Sequence, residues 1–167
     1  VVPNLRGPEG RPTPGVVERV GEWVAPWAAV GESARGERIY VSRENARRRR
    51  VVNEAELWTQ LQARGFVKVQ LEELTWSEQI ATFRHAKVIV APHGAGLANV
   101  MFCGGGARVV EFFNRSYVNG LFWRLAALKG LDYRPVVMDG EEPLAQIAAR
   151  GRDDIFADVA AVLRAAG

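Results

Sequence analysis

Lys87 to Phe113 reads KVIVAPHGAGLANVMFCGGGARVVEFF. An apolar run, Lys87–Ala91, passes a turn marked by Pro92, Gly94 and Gly96 and continues into a short apolar helix over Leu97–Phe102. Gly104–Gly106 turns the chain again, and a second apolar run, Arg108–Phe113, follows. Neither run alternates apolar with polar residues. Continuous β-branched runs of this length suit strands buried on both faces, and a helix between two of them is the crossover of a parallel pair. The stretch therefore predicts a parallel sheet covered on both sides.

The same alternation extends outward from it. Upstream, Arg38–Ser42 reads as a strand, and Asn53 with Glu56 forms a capping-box pattern before a helix that carries Leu57, Trp58 and Leu61 and ends at Gly65. Phe66–Val69 is the next strand, and Thr75 with Glu78 opens a helix bearing Ile80, Phe83 and Ala86. Downstream, Val118, Leu121, Phe122 and Leu125 recur at helical spacing until Gly130, and Tyr133–Met138 reads as a fifth strand. A last helix, Asp153–Ala166, is capped by Asp153-Asp154 and turns Ile155, Phe156, Val159 and Leu163 inward. At the other end, Val16–Val30 predicts a short or kinked helix around Trp23 and Trp27, broken by Gly21 and Pro26. Val1–Pro14, with four of the eight prolines, reads as a linker cut from something longer. The expectation is a doubly wound α/β domain of about five parallel strands over residues 37–167, preceded by a linker and a short helical segment over 1–36.

Composition agrees with one folded domain. The 167 residues are 48% hydrophobic and 25% charged, which excludes a disordered chain. The net charge of +3 is local: Arg43–Arg50 holds five arginines and one glutamate, a net of +4, which leaves the other residues at −1. A basic character confined to one segment argues against nucleic acid as the partner. One cysteine, Cys103, forms no intramolecular disulfide and fits a reducing compartment. No apolar run approaches the ~20 residues of a membrane span.

In an open parallel sheet, ligands bind beyond the carboxyl ends of the strands. The unusual polar residues fall there: Ser42 and Arg43, His93 and Gly94, Glu111 and Asn114, and Asp139. In the loop Pro92–Gly96 the glycines would let the backbone approach a ligand, and the free amides of the following helical turn favour an anion such as a diphosphate. His93 could donate to the same anion; the plainer reading is a tight turn with a hydrogen-bonded histidine. Arginine forks match phosphate oxygens, and Arg43, fixed at a strand end, is the better candidate, since most of Arg47–Arg50 should face water. Glu111, a carboxylate inside an apolar strand, either reaches the rim to hold a ribose hydroxyl pair or is locked to an arginine. Asp153-Asp154 reads as a cap rather than a metal pair, and no Asp-x-Asp occurs. The tryptophans read as core, Trp76 least so.

Several segments together carry a resemblance. Ile39-Tyr40-Val41-Ser42-Arg43, Arg49, Asn53–Leu57, Ser77–Ile80, Ala91–Asn99 and Val109–Phe113 resemble, in order and spacing, the catalytic-domain signature of glycosyltransferase family 61 over about Glu37 to Phe113. That family includes plant xylan-decorating pentosyltransferases, animal N-acetylglucosaminyltransferases acting on glycoproteins, and bacterial proteins labelled capsular polysaccharide biosynthesis enzymes, which this chain looks most like. The resemblance implies an inverting, metal-independent hexosyl- or pentosyltransferase of the two-domain GT-B type, without a cofactor; the cytoplasm is the expected location, as the single cysteine fits a reducing compartment. Its C-terminal Rossmann-like half would bind a nucleotide-sugar donor, and a glycan or polysaccharide would be the acceptor. By carry-over, Arg43, Arg49 and His93 with Gly94, Ala95 and Gly96 hold the donor diphosphate and Glu111 holds its ribose, with Ser42, Asn53 and Asn99 as further candidates. No residue here is assigned as general base, because GT-B enzymes usually supply it from the acceptor-binding half. Family members commonly have about twice this length, which implies that such a half belongs to a missing N-terminal domain or a partner chain, and that the isolated domain is inactive. The competing expectation is a nucleotide-sugar-binding or scaffold domain with no catalysis of its own.

Overall fold

A computed structural model describes residues 13–24, 26, 35–138 and 154–167. The linker over residues 1–12, Trp27, the rim residue Asp139 and the expected cap residue Asp153 lie outside the described residues.

Five strands form one sheet: β1 (Arg38–Val41), β2 (Val67–Val69), β3 (Val88–Pro92), β4 (Arg108–Asn114) and β5 (Asp132–Met138). The spatial order is β2-β1-β3-β4-β5, and all four pairings are parallel. The connecting helices are α2 (Glu54–Gln62), α3 (Trp76–His85) and α4 (Leu121–Leu128), with a 3₁₀ helix over Ala95–Phe102 between β3 and β4 and a 3₁₀ turn at Leu71–Glu73. An N-terminal helix, α1 (Pro14–Val24), and a C-terminal one, α5 (Val159–Ala166), complete the fold. No helix among the described residues is long and apolar enough to cross a membrane.

The pleat divides the core in two. Ile39, Val41, Ile89, Ala91 and Val109 pack with Val17 and Val24 of α1, Ile80 and Phe83 of α3, Leu97 and Val100 of the 3₁₀ helix, and Phe122 and Leu125 of α4. The alternate positions Tyr40, Val90, Val110 and Phe112 pack on the opposite face with Leu57 and Leu61 of α2 and Val162 and Ala166 of α5. Both faces are thus covered, as the non-alternating, largely apolar runs of β3 and β4 require.

The ends of elements depart from expectation in instructive places. α1 runs unbroken through Gly21 and starts at Pro14, whose fixed φ and missing N–H suit a first helical position. The Thr75–Glu78 capping box forms in full, but Asn53 makes no side-chain cap on α2. Its amide instead donates to the carbonyl of Ala157 at 3.0 Å and accepts from that residue's N–H at 2.8 Å. The last helix begins at Val159, not Asp153, and Asp158 caps it by accepting from the Ala161 N–H. Ile155 is buried outside that helix, in an isolated parallel bridge to Val51, and Phe156 is exposed. An apolar residue can thus be buried by a single extended contact that helical periodicity counts as a helix position.

Candidate functional site

The strand order reverses direction between β1 and β3: the chain leaves β1 for one edge and returns to β3 on the other side. Loops diverge at such a switch point and leave a crevice beyond the strand ends. A cleft of about 110 Å³ lies there, lined by Val41, Ser42 and Arg43 from the end of β1, by Ala91, Pro92, Gly94, Gly96 and Leu97 from the end of β3, and by Leu71 and Glu72.

Arg43 dominates this cleft. A Cβ on Gly94 would collide with the Arg43 guanidinium, and one on Gly96 would come within 2.6 Å of Leu71 Cδ1. Both glycines are therefore needed for close approach, but to side chains of the same chain. Gly94 is fully extended, so its backbone would suit any residue. The first bond of the 3₁₀ ladder runs from the Leu97 N–H to the Gly94 carbonyl at 3.0 Å, which leaves the amides of Ala95 and Gly96 ahead of it.

The arginine segment splits as its position dictates. Arg47, Arg48 and Arg50 are exposed, while Arg43 and Arg49 are half-buried. Arg50 is held through its backbone N–H and guanidinium by Asp154, at 3.0 and 3.3 Å. Arg49 adopts a positive φ of 56°, unusual for a residue with a Cβ, and its guanidinium lies 5.4 Å from the Tyr117 ring centre. Arg43 Nη2 donates to the Arg48 carbonyl at 3.0 Å, yet the Nε atoms of Arg43 and Arg49 are both buried without a partner. Burial, and after it the charge of Arg49, lowers the Arg43 pKa, while Glu72 acts in the opposite direction. Two half-buried cations thus lie near enough to act on each other, and one of them, Arg43, lines the strand-end crevice.

Behind the loop lies a different construction. Glu111 is fully buried in β4, where it pairs with Ala91 of β3, and its Oε1 accepts from His93 Nδ1 at 2.5 Å. Its other oxygen accepts from the Tyr133 hydroxyl at 2.5 Å. Burial first, then the hydrogen bond to Glu111 and its charge, raises the Tyr133 pKa. The His93 ring stacks on Phe113 at 5.1 Å and also contacts Tyr117 and Phe122. The His93 ring has no other hydrogen bond among the described residues, its backbone N–H donates to the Phe112 carbonyl at 2.9 Å, and it does not line the cleft, although its neighbours Pro92 and Gly94 do. Tyr117 touches both His93 and Arg49 and so links this buried knot to the cationic crevice.

Residues 7–110 match the family model described as Glycosyltransferase 61, more than half of the chain. The chain belongs to glycosyltransferase family 61. It is also 35% identical over 98 residues to the EGF domain-specific O-linked N-acetylglucosamine transferase of Drosophila melanogaster, a match that covers 57% of this chain and 18% of that protein. The chain thus spans less than a fifth of that relative's length.

The structure sorts the residues expected from the family pattern into two groups. Arg43, Gly94 and Gly96 line one cleft, with Ala95 between the two glycines and Arg49 close enough to act on Arg43. His93 and Glu111 face each other behind that loop. With both Glu111 oxygens bonded, it holds neither a rim position facing a ribose nor an arginine; its partners are a histidine and a tyrosine. Ser42 is buried at the cleft wall and donates to Glu54 Oε1 at 2.6 Å, which ties the end of β1 to the start of α2. Asn53 anchors the C-terminal segment, and Asn114 does the same by donating to the Asp154 carbonyl at 2.7 Å. Asn99 is buried and donates to Gln79 Oε1 at 3.0 Å.

Tyr117, Tyr133 and Glu72 are the residues that sequence reasoning passed over. Tyr133 could be found only from the β4–β5 register, which sets it opposite Val109 and on the same face as Glu111. Among the described residues no group of three His, Cys, Asp or Glu side chains could hold a metal ion.

Proposed function

We propose that this chain is the donor-binding half of an inverting, metal-independent glycosyltransferase of GT-B architecture, which takes a nucleoside diphosphate sugar and passes a hexosyl or pentosyl group to a glycan or polysaccharide acceptor. The observation that carries this reading is Arg43, a half-buried guanidinium lining the cleft at the β1/β3 switch point, with Arg49 near enough to act on its charge. Partly desolvating two neighbouring cations is costly, and a diphosphate in the cleft would supply the counter-charge and acceptors for the Arg43 guanidinium. The amides of Ala95 and Gly96 add neutral donors from the opposite wall. A bacterial capsular polysaccharide system is the setting that suits the motif pattern. The cytoplasm suits the single buried thiol of Cys103, whose pKa burial pushes up to about 12.

In the transfer step the acceptor hydroxyl oxygen attacks the anomeric carbon while the bond from that carbon to the diphosphate oxygen breaks. The electron pair leaves with the nucleoside diphosphate, and the acceptor proton goes to a base on the acceptor-binding half. Arg43 and Arg49 stabilise the charge that grows on the departing phosphate, an electrostatic role of the kind that usually contributes most to such steps. His93 Nδ1–H is committed to the buried Glu111 carboxylate.

Titration calorimetry of the 167-residue chain with UDP, GDP, CDP and ADP tests the reading. Binding of at least one at submillimolar concentration, weakened tenfold or more by Arg43→Ala, is the expected result. Silence from all four at millimolar ligand, or equal affinity in the variant, overturns it. Sugar transfer by the chain alone would remove the requirement for a separate acceptor half.

A further inference from the structure

A second cavity opens directly beside the cationic cleft. It measures about 310 Å³, and Leu71, Glu72 and Gly96 line both. Its far wall is Trp76, Gln79, Asn99 and Phe102. The two ends differ in chemistry. One holds the Arg43 guanidinium; the other presents Trp76, about half exposed and set edge-to-face against Phe102 at 5.7 Å. Tryptophan at a helix start has no structural need for such exposure, since α3 is capped by Thr75 and Glu78 and buries Ile80 and Phe83 instead. At the junction stands Glu72, an exposed carboxylate with no hydrogen bond among the described residues, close enough to Arg43 to act on its charge.

We propose that the Trp76 cavity is the nucleoside subsite of the donor, with Trp76 stacking on the base and Glu72 accepting from the ribose hydroxyls. This rests on the diphosphate reading of the neighbouring cleft. An anion at one end, a diol in the middle and a flat aromatic ring at the other is the order of groups in a nucleoside diphosphate. It is also the order in which Arg43, Glu72 and Trp76 line the two connected cavities. A carboxylate beside a diphosphate would be repulsive without a compensating donor pair, and a ribose supplies one. The ribose role expected of Glu111, whose oxygens are both committed, thereby passes to Glu72. Gln79 is fixed by donating to the Leu71 and Leu74 carbonyls at 2.9 and 3.2 Å, and it holds Asn99 in turn, so this floor is organised before any ligand arrives.

Calorimetric titration with inorganic pyrophosphate and with UDP, GDP, CDP and ADP, on the 167-residue chain and its variants, separates the two readings. At least one nucleoside diphosphate is expected to bind about tenfold or more tightly than pyrophosphate, the usual yield of one base stacked on one aromatic ring. Trp76→Ala should close that gap while changing pyrophosphate affinity less than twofold, and Trp76→Phe should restore most of it. Glu72→Gln should weaken the nucleoside diphosphate several-fold and leave pyrophosphate unchanged or tighter. A 2′,3′-dideoxy nucleoside diphosphate should lose affinity against the parent chain and lose none further against Glu72→Gln. Circular dichroism on all three variants verifies folding, which their exposed positions should preserve. Pyrophosphate binding with no gain from any nucleoside overturns this inference alone. Failure of pyrophosphate and every nucleoside diphosphate removes the diphosphate reading and this one with it. A Trp76→Ala variant that keeps the UDP affinity but loses the extra affinity for a UDP-sugar would give the cavity to the sugar instead.

Discussion

The crevice at β1/β3 and the knot behind it treat half-buried and buried polar side chains in opposite ways. At the crevice, Arg43 and Arg49 are half-buried with donors to spare. In the knot, Glu111 is fully buried, and each oxygen has one close partner. Under the proposed function, a diphosphate in the crevice would supply the counter-charge that the two half-buried cations lack. The satisfied carboxylate marks where the structure completes itself. If that distinction is right, substitutions in the knot should cost stability, and those in the crevice should cost binding.

The largest effect should come from Glu111→Ala. It opens a cavity and strands the His93 N–H and the Tyr133 hydroxyl, and losing one member of a buried charged network costs about 3–5 kcal/mol. Urea denaturation at neutral pH measures it. A loss under about 1 kcal/mol would show that water reaches these groups and that the knot is not closed. Arg43→Ala comes next and should read out on the other axis. Diphosphate affinity should fall ten- to a hundredfold, about 1.4–2.8 kcal/mol. Stability should move by no more than about 0.5 kcal/mol, because the desolvated guanidinium is itself costly to bury. If stability collapses instead, the arginine belongs to the scaffold and the comparison fails.

Gly94→Ala tests a contact within the crevice. The added methyl would displace the Arg43 guanidinium, so ligand affinity should drop about tenfold for a stability loss near 1 kcal/mol. The same change at Gly105, which has open space around it, should leave affinity unchanged. Tyr133→Phe follows, with about 1 kcal/mol of stability for one hydrogen bond and no change in the strand pairing.

These regions were not equally legible from the sequence. The sheet was readable because β3 and β4 must be apolar on both faces, and Arg43 because a strand end fixes its position. Glu111 was recognised as anomalous, but its partners were not, since pairing it with Tyr133 requires a register between strands 22 positions apart. Asn53 shows the same limit. Its local pattern promised a helix cap, yet its amide is spent on Ala157, 104 positions away. Ile155 failed for the converse reason, its burial coming from one bridge to Val51 rather than a helix face. Local chemistry names the residues that need a partner, and topology decides which partner they receive.

The smallest expected effect sharpens the comparison most finely, because it lies within the arginine segment itself. Arg47 and Arg49 have the same charge and stand two positions apart, but Arg47 is exposed while Arg49 is half-buried against Tyr117. At physiological salt the screening length is about 8 Å, so a solvated guanidinium acts weakly on a diphosphate in the crevice, whereas a desolvated one in contact with it does not suffer that screening. Arg47→Ala should therefore weaken diphosphate binding less than twofold at about 0.15 M salt, and Arg49→Ala about tenfold. Repeating both titrations near 0.01 M salt, where the screening length grows to about 30 Å, should raise the Arg47 effect and leave that of Arg49 nearly unchanged. Equal effects at both salt concentrations would mean that the segment attracts anions as an undivided charge, and that the inward turn of Arg49 has no part in holding them.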